Sequence, residues 1–420
     1  MAAPHVRTSR IKAECRMKFS FLLPSKNRVE LLKFAVDSIL RQNYRDVEIV
    51  ISDNASEQDY AGFVDGLRDE RIVYRRMAEP VSVTENWNNA LSIATGDYVL
   101  MLGDDDALAP WFVEKVSKLI DSAGQQPDIV YFSAFHYCYP NVLPGSMEGY
   151  LADIRNSAFL GNRVGAFSLP IETARSVAKA ACDFRYQFGF NSQHFLFRAG
   201  FLKEISAMGS IFQSPYPDTF AAVVSFLKAG SIMAVPEPMA IIGISPKSFG
   251  YYYFNDQQTE GYEFLNNAKV SAEVSDSLKG VLLPGDRNNT NWLIAVEVAR
   301  RALAKDFALT VNIGRYRKLQ IVAFLRNVYL QGVRQPSEIG EFLKSLTPLE
   351  RLMCRALWAL VAAAKVCGRI FVRGIFKVVD RLLGQFWPAK VTMMDIGRHS
   401  NIGDAFNWLA AREKSNLGGK

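Results

Sequence analysis

Three adjacent aspartates, Asp104, Asp105 and Asp106, lie in the stretch YVLMLGDDDALAPWF (98–112). Neighbouring carboxylates repel one another, so the cluster calls for a cation. Hard divalent ions such as Mg²⁺ and Mn²⁺ take oxygen ligands, often one or two carboxylates together with the oxygens of a diphosphate. Such an ion neutralises the diphosphate and makes it a better leaving group. Gly103, immediately before the cluster, would let the backbone approach a ligand closely. The competing reading is a solvated acidic turn that caps the helix starting near Pro110.

Two further polar clusters, PSKNR (24–28) and SDNAS (52–56), resemble the aspartate cluster in position. Each ends a short apolar run. KFSFLL (18–23), VEIVISD (47–53), RIVYR (71–75), DYVLML (97–102) and DIVYFSAF (128–135) read as strands. Helical segments alternate with them at 29–42, 58–68, 83–94 and 110–124, the last with Pro at its first turn and Gly after its end. That alternation predicts a parallel α/β sheet. In such sheets ligands bind outside the carboxyl ends of the strands. All three polar clusters sit there, which predicts one crevice.

The pattern loosens after residue 140. QHFLFR (193–198) and SIMAVP (231–236) suit strands, and DTFAAVVSFLKAG (218–230) suits a helix. From about 286 the chain reads as helical to its end. Composition supports a globular protein, with 49% hydrophobic and 22% charged residues in 420. Five scattered cysteines without CxxC spacing and four histidines without HExxH argue against a disulfide framework or a structural zinc site, and fit a reducing compartment. The net charge is +7, with +6 in residues 351–381 and +4 in residues 1–18, which leaves the body mildly acidic. That distribution excludes a uniformly basic nucleic-acid binder. Residues 1–16 have no apolar stretch of the signal-peptide kind and are expected to be a disordered leader. No uncharged apolar run is long enough to span a bilayer.

The stretch SFLLPSKNRVELLKFAVDSILRQNYRDVEIVISDNAS resembles the opening of the family 2 glycosyltransferases, inverting enzymes of the GT-A fold. GDYVLMLGDDDALAP is similar to that family's strand and aspartate motif, its version of DxD. ENWNNALSIATGDY resembles the helix leading into it. The similarity is clear over 18–115 and loose over 116–250. It implies an α/β GT-A Rossmann-like domain over 17–250, with a donor-binding half (17–125) and an acceptor half (126–250). A connecting segment (251–285) and a helical C-terminal region (286–420) would follow.

The resemblance also implies a nucleotide-sugar donor, a UDP-sugar in the first place, and Mn²⁺ or Mg²⁺ as cofactor. Pro24, Ser25 and Arg28 would line the nucleotide pocket. Asp53 would accept a hydrogen bond from the base, a carboxylate facing an imide N–H; a helix N-cap is its alternative. Asn86 and Trp87 lie where the family often has an Arg-Asn pair. Asp104 and Asp105 would contact ribose and sugar, and Asp106 would hold the metal. The family's usual residues differ at the positions of Gly103 and Asp104.

Inverting transfer is a single displacement and needs one carboxylate to take the proton of the acceptor hydroxyl. The family places it at a helix start about a hundred residues beyond the aspartates. Asp218 fits that position, with N-capping as its alternative and Asp183 as a rival. His194, alternating with apolar residues, suits the core or an acceptor pocket. Lys247, in the loop GISPKSFG (243–250), would close over the diphosphate with help from Ser248; an exposed loop lysine is the plainer reading. His399 is a candidate late metal ligand.

Residues 350–385 carry Arg351, Arg355, Lys365, Arg369, Arg373, Lys377 and Arg381. On one continuous helix they project within about 160°, with Gly368, Gly374 and Gly384 as the points at which it would break into shorter helices. Apolar residues fill the opposite face. This is the pattern of a helix lying in an anionic membrane interface, and a helical pair packed on the domain or on another subunit is the alternative. The expected protein is a cytoplasmic glycosyltransferase, peripheral at the inner face of the cell membrane. It would act on a glycan or lipid-linked acceptor in surface polysaccharide synthesis, bind no nucleic acid, and leave homo-oligomerisation open. A sugar nucleotidyltransferase and a non-catalytic membrane-associated scaffold are the rival readings. The first would need a glycine-rich basic loop after the first strand, and PSKNR has no glycine.

Overall fold

The computed structural model describes residues 17–143, 146–213, 215–255, 257, 261, 272–331, 336–384 and 392–418. The expected leader, 1–16, and much of the expected connecting segment lie outside them.

Eleven strands among the described residues join into one sheet. β1 (Phe19–Ser25) and β2 (Val47–Asp53) are buried along their whole length. Burial on both faces is the mark of central strands in a parallel sheet, and it explains their continuous apolar runs. β1 pairs in parallel with β2 on one side and with β4 (Tyr98–Met101) on the other, and β2 pairs in parallel with β3 (Ile72–Arg76). Because β2 and β4 flank β1 on opposite sides, their connections diverge and open a crevice beyond the carboxyl ends of β1 and β4.

The sheet is not parallel throughout. β9 (Phe195–Arg198) lies antiparallel between β4 and β6 (Ile129–Cys138). β7 (Tyr150–Arg155) pairs antiparallel with β6. β10 (Ile232–Ile244) runs parallel to β6 and also pairs with two short strands, β5 (Ala107–Leu108) and β8 (Phe167–Ser168). The carboxyl ends of β1, β4, β6 and β10 therefore share one edge with the amino end of β9. The uniformly parallel sheet expected from the helix–strand alternation holds for β1 to β4 and again for β6 with β10, but antiparallel strands lie between and beside these groups. Short antiparallel strands carry no crossover helix, so their pairing leaves no periodic signal in the sequence.

The two faces bury separate cores. α1 (Val29–Leu40) and α4 (Phe112–Asp121) cover one with Leu32, Val36, Ile39, Phe112 and Val116. α3 (Val83–Ile93), α5 (Ile171–Cys182) and α7 (Pro217–Lys228) cover the other. Helix Arg287–Ala302 joins this second core directly through Trp292, Leu293 and Val296. The Trp292 Nε1–H donates to the Ala181 carbonyl at 2.9 Å. The helical region then builds a further core from Phe324, Phe342, Cys354, Val361, Val372 and Phe376. Arg317 ties its helices together, with two nitrogens at 2.7 Å from the two Glu350 oxygens. That pairing holds the Glu350 carboxyl down at about 2.

The chain is not helical to its end. β11 (Thr392–Arg398) returns and pairs antiparallel with β7 at the sheet edge. Helix Ile402–Gly418 then places Ile402, Ala405 and Phe406 in a core shared with Phe135 and Leu151.

Candidate active site

The edge where these strand ends meet carries a cavity of about 890 Å³. Its wall brings together Pro24, Ser25, Arg28, Asn86, Asp104, Asp105, Asp106, Asp218 and Lys247. Asp53 is missing from it, as are the rival base Asp183 and the candidate metal ligand His399.

The turn after β1 is tied in place from below. Asn27 adopts φ +53°, a left-handed conformation that asparagine tolerates. Its N–H donates to Ser56 Oγ at 2.9 Å, and its Oδ1 accepts from the Glu57 N–H at 2.7 Å. Ser25 Oγ donates to Asp104 Oδ2 at 2.5 Å and lies 2.6 Å from the Tyr60 hydroxyl. Arg28 Nε stands 3.0 Å from the same Asp104 oxygen. Burial pushes the Asp104 carboxyl up to about 6, against the pull of Arg28. Its Oδ1 is buried with no hydrogen-bond partner among the described residues.

Each of the three aspartates has a different environment. Asp105 accepts from Ser245 Oγ at 2.7 Å through Oδ2, with no hydrogen bond to Oδ1 among the described residues. Asp106 is saturated. Its Oδ2 accepts from the Gly103 N–H at 2.6 Å and from Gln193 Nε2 at 2.8 Å, and its Oδ1 from the Gly243 N–H at 2.7 Å. Burial first, and then the Asp105 charge, raise its carboxyl to about 8. These bonds occupy three acceptor positions of Asp106, the carboxylate expected to hold the metal, whereas Asp105 Oδ1 accepts none among the described residues and is the more open ligand oxygen. Gly103 serves the same turn, because a Cβ there would stand 2.6 Å from Asp106 Oδ2. Among the described residues no group of three His, Cys, Asp or Glu side chains is arranged to hold a metal ion.

Gly243 allows β10 to pass the aspartates. A Cβ at this position would collide with the Asp105 carbonyl oxygen. Gly243→Ala is expected to displace β10 from the cluster and break the Gly243–Asp106 hydrogen bond, a loss of roughly 2–4 kcal/mol that combines overpacking with an unsatisfied carboxylate. A thermal melt of the variant beside the parent checks this; an unchanged Tm would show that the close approach is not needed.

Asp53 also differs from expectation. It is fully buried. Its Oδ1 accepts from the Ser56 N–H at 2.9 Å, and its Oδ2 from the Tyr74 hydroxyl at 2.9 Å and Arg76 Nη1 at 3.0 Å. A nucleobase contact would cost those bonds. Asn54, Val81 and Val83 form the cavity wall there instead. Asn86 reaches the wall while bonded to Ser52, whose Oγ donates to its Oδ1 at 2.7 Å. Lys247 lies on the exposed loop after β10, with Nζ 3.3 Å from the Asn27 carbonyl, and Arg28 Nη1 donates to the Lys247 carbonyl at 3.1 Å.

Asp218 opens α7 just after Pro217. Its Oδ1 accepts from the Ser192 N–H at 2.7 Å, and burial lifts its carboxyl to about 6. Asp183 ends α5, ion-paired with Arg185 at 2.8 Å, and does not line the cavity. His194 is a core residue, stacked on Tyr131 with Nδ1 2.9 Å from the Phe132 carbonyl. His399 packs on Trp408 away from the cavity. Sequence reasoning passed over Gln193, His136 and Ser245. The only local hint was a polar pair, Ser192 and Gln193, just before an apolar strand.

Residues 20–177 match the family described as Glycosyl transferase family 2. This segment is a family 2 glycosyltransferase domain. The transferase domain covers β1 to α5, including the aspartate cluster, whereas Gln193, Asp218 and Lys247 lie beyond the matched residues. The chain is similar to the GalNAc(5)-diNAcBac-PP-undecaprenol beta-1,3-glucosyltransferase of Campylobacter jejuni, 38% identical over 94 residues, 22% of this chain and 30% of that protein. It is similar to the abequosyltransferase RfbV of Salmonella typhimurium, 36% identical over 111 residues, 25% of this chain and 33% of that protein. It is also similar to the UDP-Glc:alpha-D-GlcNAc-diphosphoundecaprenol beta-1,3-glucosyltransferase WfaP of Escherichia coli, 29% identical over 118 residues, 28% of this chain and 45% of that protein. The matched segments span less than half the length of each relative.

Proposed function

We propose that the chain is a metal-dependent inverting glycosyltransferase. It moves a sugar from a nucleoside diphosphate donor, a UDP-sugar in the first place, to a hydroxyl of a lipid-linked glycan precursor. One observation carries the reading. A single cavity joins a guanidinium-paired carboxylate cluster to a second carboxyl, Asp218, raised to about 6 at a helix start. The names of the Campylobacter and Escherichia coli relatives, which specify undecaprenol-linked acceptors, support the acceptor class.

Asp104 Oδ1, buried and without a partner, and Asp105 Oδ1 fit a divalent ion that keeps other positions for phosphate oxygens. Bound there, Mg²⁺ or Mn²⁺ would offset the charge of the departing diphosphate. Arg28 and Lys247 add positive charge at the same end. The acceptor oxygen bonds to the anomeric carbon as the bond to the diphosphate oxygen breaks. Asp218 takes the acceptor proton, and the Ser192 N–H holds its carboxylate in aim. Turnover of UDP-, GDP- and dTDP-sugars with Mn²⁺ or Mg²⁺ tests the reading. No turnover and no metal-dependent nucleotide binding with any donor would end it.

The C-terminal segment supports placement at the anionic inner face of the cell membrane. Its residues form two helices, Pro348–Val366 and Arg369–Leu383, broken at Gly368 with φ +103°. The wheel drawn for 350–385 is thus divided in two at Gly368, one of the three glycines expected to break it. Each helix buries one apolar edge, Val361 and Cys354 on the first and Val372 and Phe376 on the second. Other apolar residues face outward: Leu349, Leu352, Leu360, Val366, Phe371, Val378 and Leu382 are each more than half exposed. On the first helix the outward set falls within an arc of about 120°. Arg355 stands beside the ridge of the first helix, and on the second Arg369, Arg373, Lys377 and Arg381 cover the face between the ridge and the buried edge, all with no carboxylate partner among the described residues. An outward apolar ridge edged with unpaired cations suits an anionic bilayer surface. None of the described helices is long and apolar enough to cross a membrane. Phe371→Glu with Leu382→Glu is expected to abolish sedimentation with phosphatidylglycerol vesicles and leave soluble turnover intact. If the parent ignores the vesicles but dimerises through this face, the membrane placement fails.

A further inference from the structure

We infer that Gln193, which lines the same cavity as His136, reads a hydroxyl of the sugar being transferred, and that Gln193 Oε1 accepts its hydrogen bond. The inference rests on the glycosyl-transfer reading above and adds a specificity-determining residue to it.

The Gln193 carboxamide has little freedom to turn. Its Nε2 donates to Asp106 Oδ2 at 2.8 Å, and two backbone N–H groups clamp Asp106 in turn. The opposite end of the amide, Oε1, is buried and without a partner among the described residues, although the side chain lines the cavity. A buried amide oxygen left unpaired is unfavourable, and such groups in native proteins usually await a ligand or an ordered water.

Its position points to the sugar. Ser192 and Gln193 belong to one short 3-10 turn, Ser192–His194. The Ser192 N–H grips Asp218, and the next residue grips the aspartate cluster. Gln193 therefore stands between the end that would hold the donor diphosphate and the carboxyl that would take the acceptor proton. The group that must occupy that space during transfer is the sugar ring.

The chemistry points the same way. Gln193 Oε1 is an acceptor only, so it would repel phosphate oxygens and favour an O–H. The cationic groups that suit a diphosphate, Arg28 and Lys247, belong to the loops after β1 and β10. His136 contributes a buried Nδ1 that also lacks a partner. Burial, and then the nearby His194, push its imidazole down to about 3, so it meets a ligand uncharged. Two neutral polar groups beside the aspartates suit a hydroxyl-bearing ring better than a second anion.

The test compares binding of UDP, UDP-glucose and UDP-N-acetylglucosamine by calorimetry with Mn²⁺, followed by monodeoxy forms of whichever donor binds. The full-length parent is expected to lose about tenfold in affinity for one monodeoxy donor. Gln193→Met keeps side-chain length and removes both the acceptor and the donor to Asp106, whose two backbone donors remain. It is expected to bind UDP within twofold of the parent and no longer to distinguish that monodeoxy donor from the full sugar. If every monodeoxy donor binds the parent as the full sugar does, the subsite does not exist, whatever the variant's folding. If the parent discriminates and a folded Gln193→Met variant discriminates equally, the hydroxyl is read elsewhere. Failure of the parent to bind any nucleotide or donor overturns the transfer reading and the subsite together, a result distinct from both.

Discussion

Replacing Asp218 with Asn is expected to lower transfer by roughly 10²–10⁴-fold, the usual contribution of a positioned general base, while nucleotide affinity changes by less than about twofold. Asn keeps the shape and still accepts from the Ser192 N–H, but it takes no proton. The pH profile supplies the second signature. The working form of a base is the deprotonated one, and burial holds this carboxyl near 6 in place of its ordinary value near 4. The rate is therefore expected to be low below pH 5, to rise through about 6 and to level off above 7. Asp104, raised to a similar value, sits at the donor end and should show its titration in nucleotide affinity and not in the transfer step. Transfer rates and donor dissociation constants measured across pH 5–8 separate the two. Retained transfer in Asp218→Asn, or a rate that falls as pH rises through 6, would remove Asp218 from the role.

Asp105→Asn and Asp106→Asn are expected to fail in different ways. Asp105 has one oxygen bonded to Ser245 and one that accepts from no donor among the described residues. Its loss should remove at least about 10² of the Mn²⁺-dependent gain in donor binding, because an amide oxygen is a weak ligand for a hard ion. The melting temperature should stay within a degree or two. Asp106 has three N–H donors and little left to offer. An amide there turns an NH₂ group toward at least one of those donors. The expected cost is about 1–3 kcal/mol of stability, seen as a fall of a few degrees in Tm, with metal-dependent binding intact in the folded fraction. Calorimetric titration of Mn²⁺ and donor into each variant, beside thermal melts, distinguishes these outcomes. The reverse pattern, with metal dependence lost at Asp106 and kept at Asp105, would return the ligand to Asp106.

Much of the donor half was legible without coordinates. The runs KFSFLL, VEIVISD and DYVLML are apolar on both faces because they are buried on both faces, so strand, order and parallel pairing could be read together. PSKNR and GDDDA follow from the same logic, since a polar cluster at the end of a buried strand has only the sheet edge to occupy. Asp218 was readable because the family resemblance implies a base about a hundred residues beyond the aspartates, and the apolar face of 218–230 announces a helix start there. Beyond residue 140 the local signals fade. β9 and β11 are short and antiparallel, and nothing in their own residues states which neighbour they join. The expected helical tail accordingly missed β11, whereas the break at Gly368 was readable from the glycine itself.

Residue type and spacing determined that the polar clusters with the triple carboxylate and the arginine would gather at one sheet edge, and the family resemblance added the carboxyl at a helix start. Tertiary structure alone decided how they divide the work. Adjacent aspartates have the same intrinsic chemistry, and only the donors brought from distant segments tell them apart. Gly243 on β10 and Gln193 before β9 saturate Asp106, Arg28 pairs Asp104, and Ser245 leaves Asp105 with an open oxygen. Asp53 shows the same rule, because Tyr74 and Arg76 on the neighbouring strand take the oxygen expected to meet a base. Hydrogen bonds between residues far apart in the chain leave no periodicity and no local composition behind, so the division of roles appears only once the strands lie side by side.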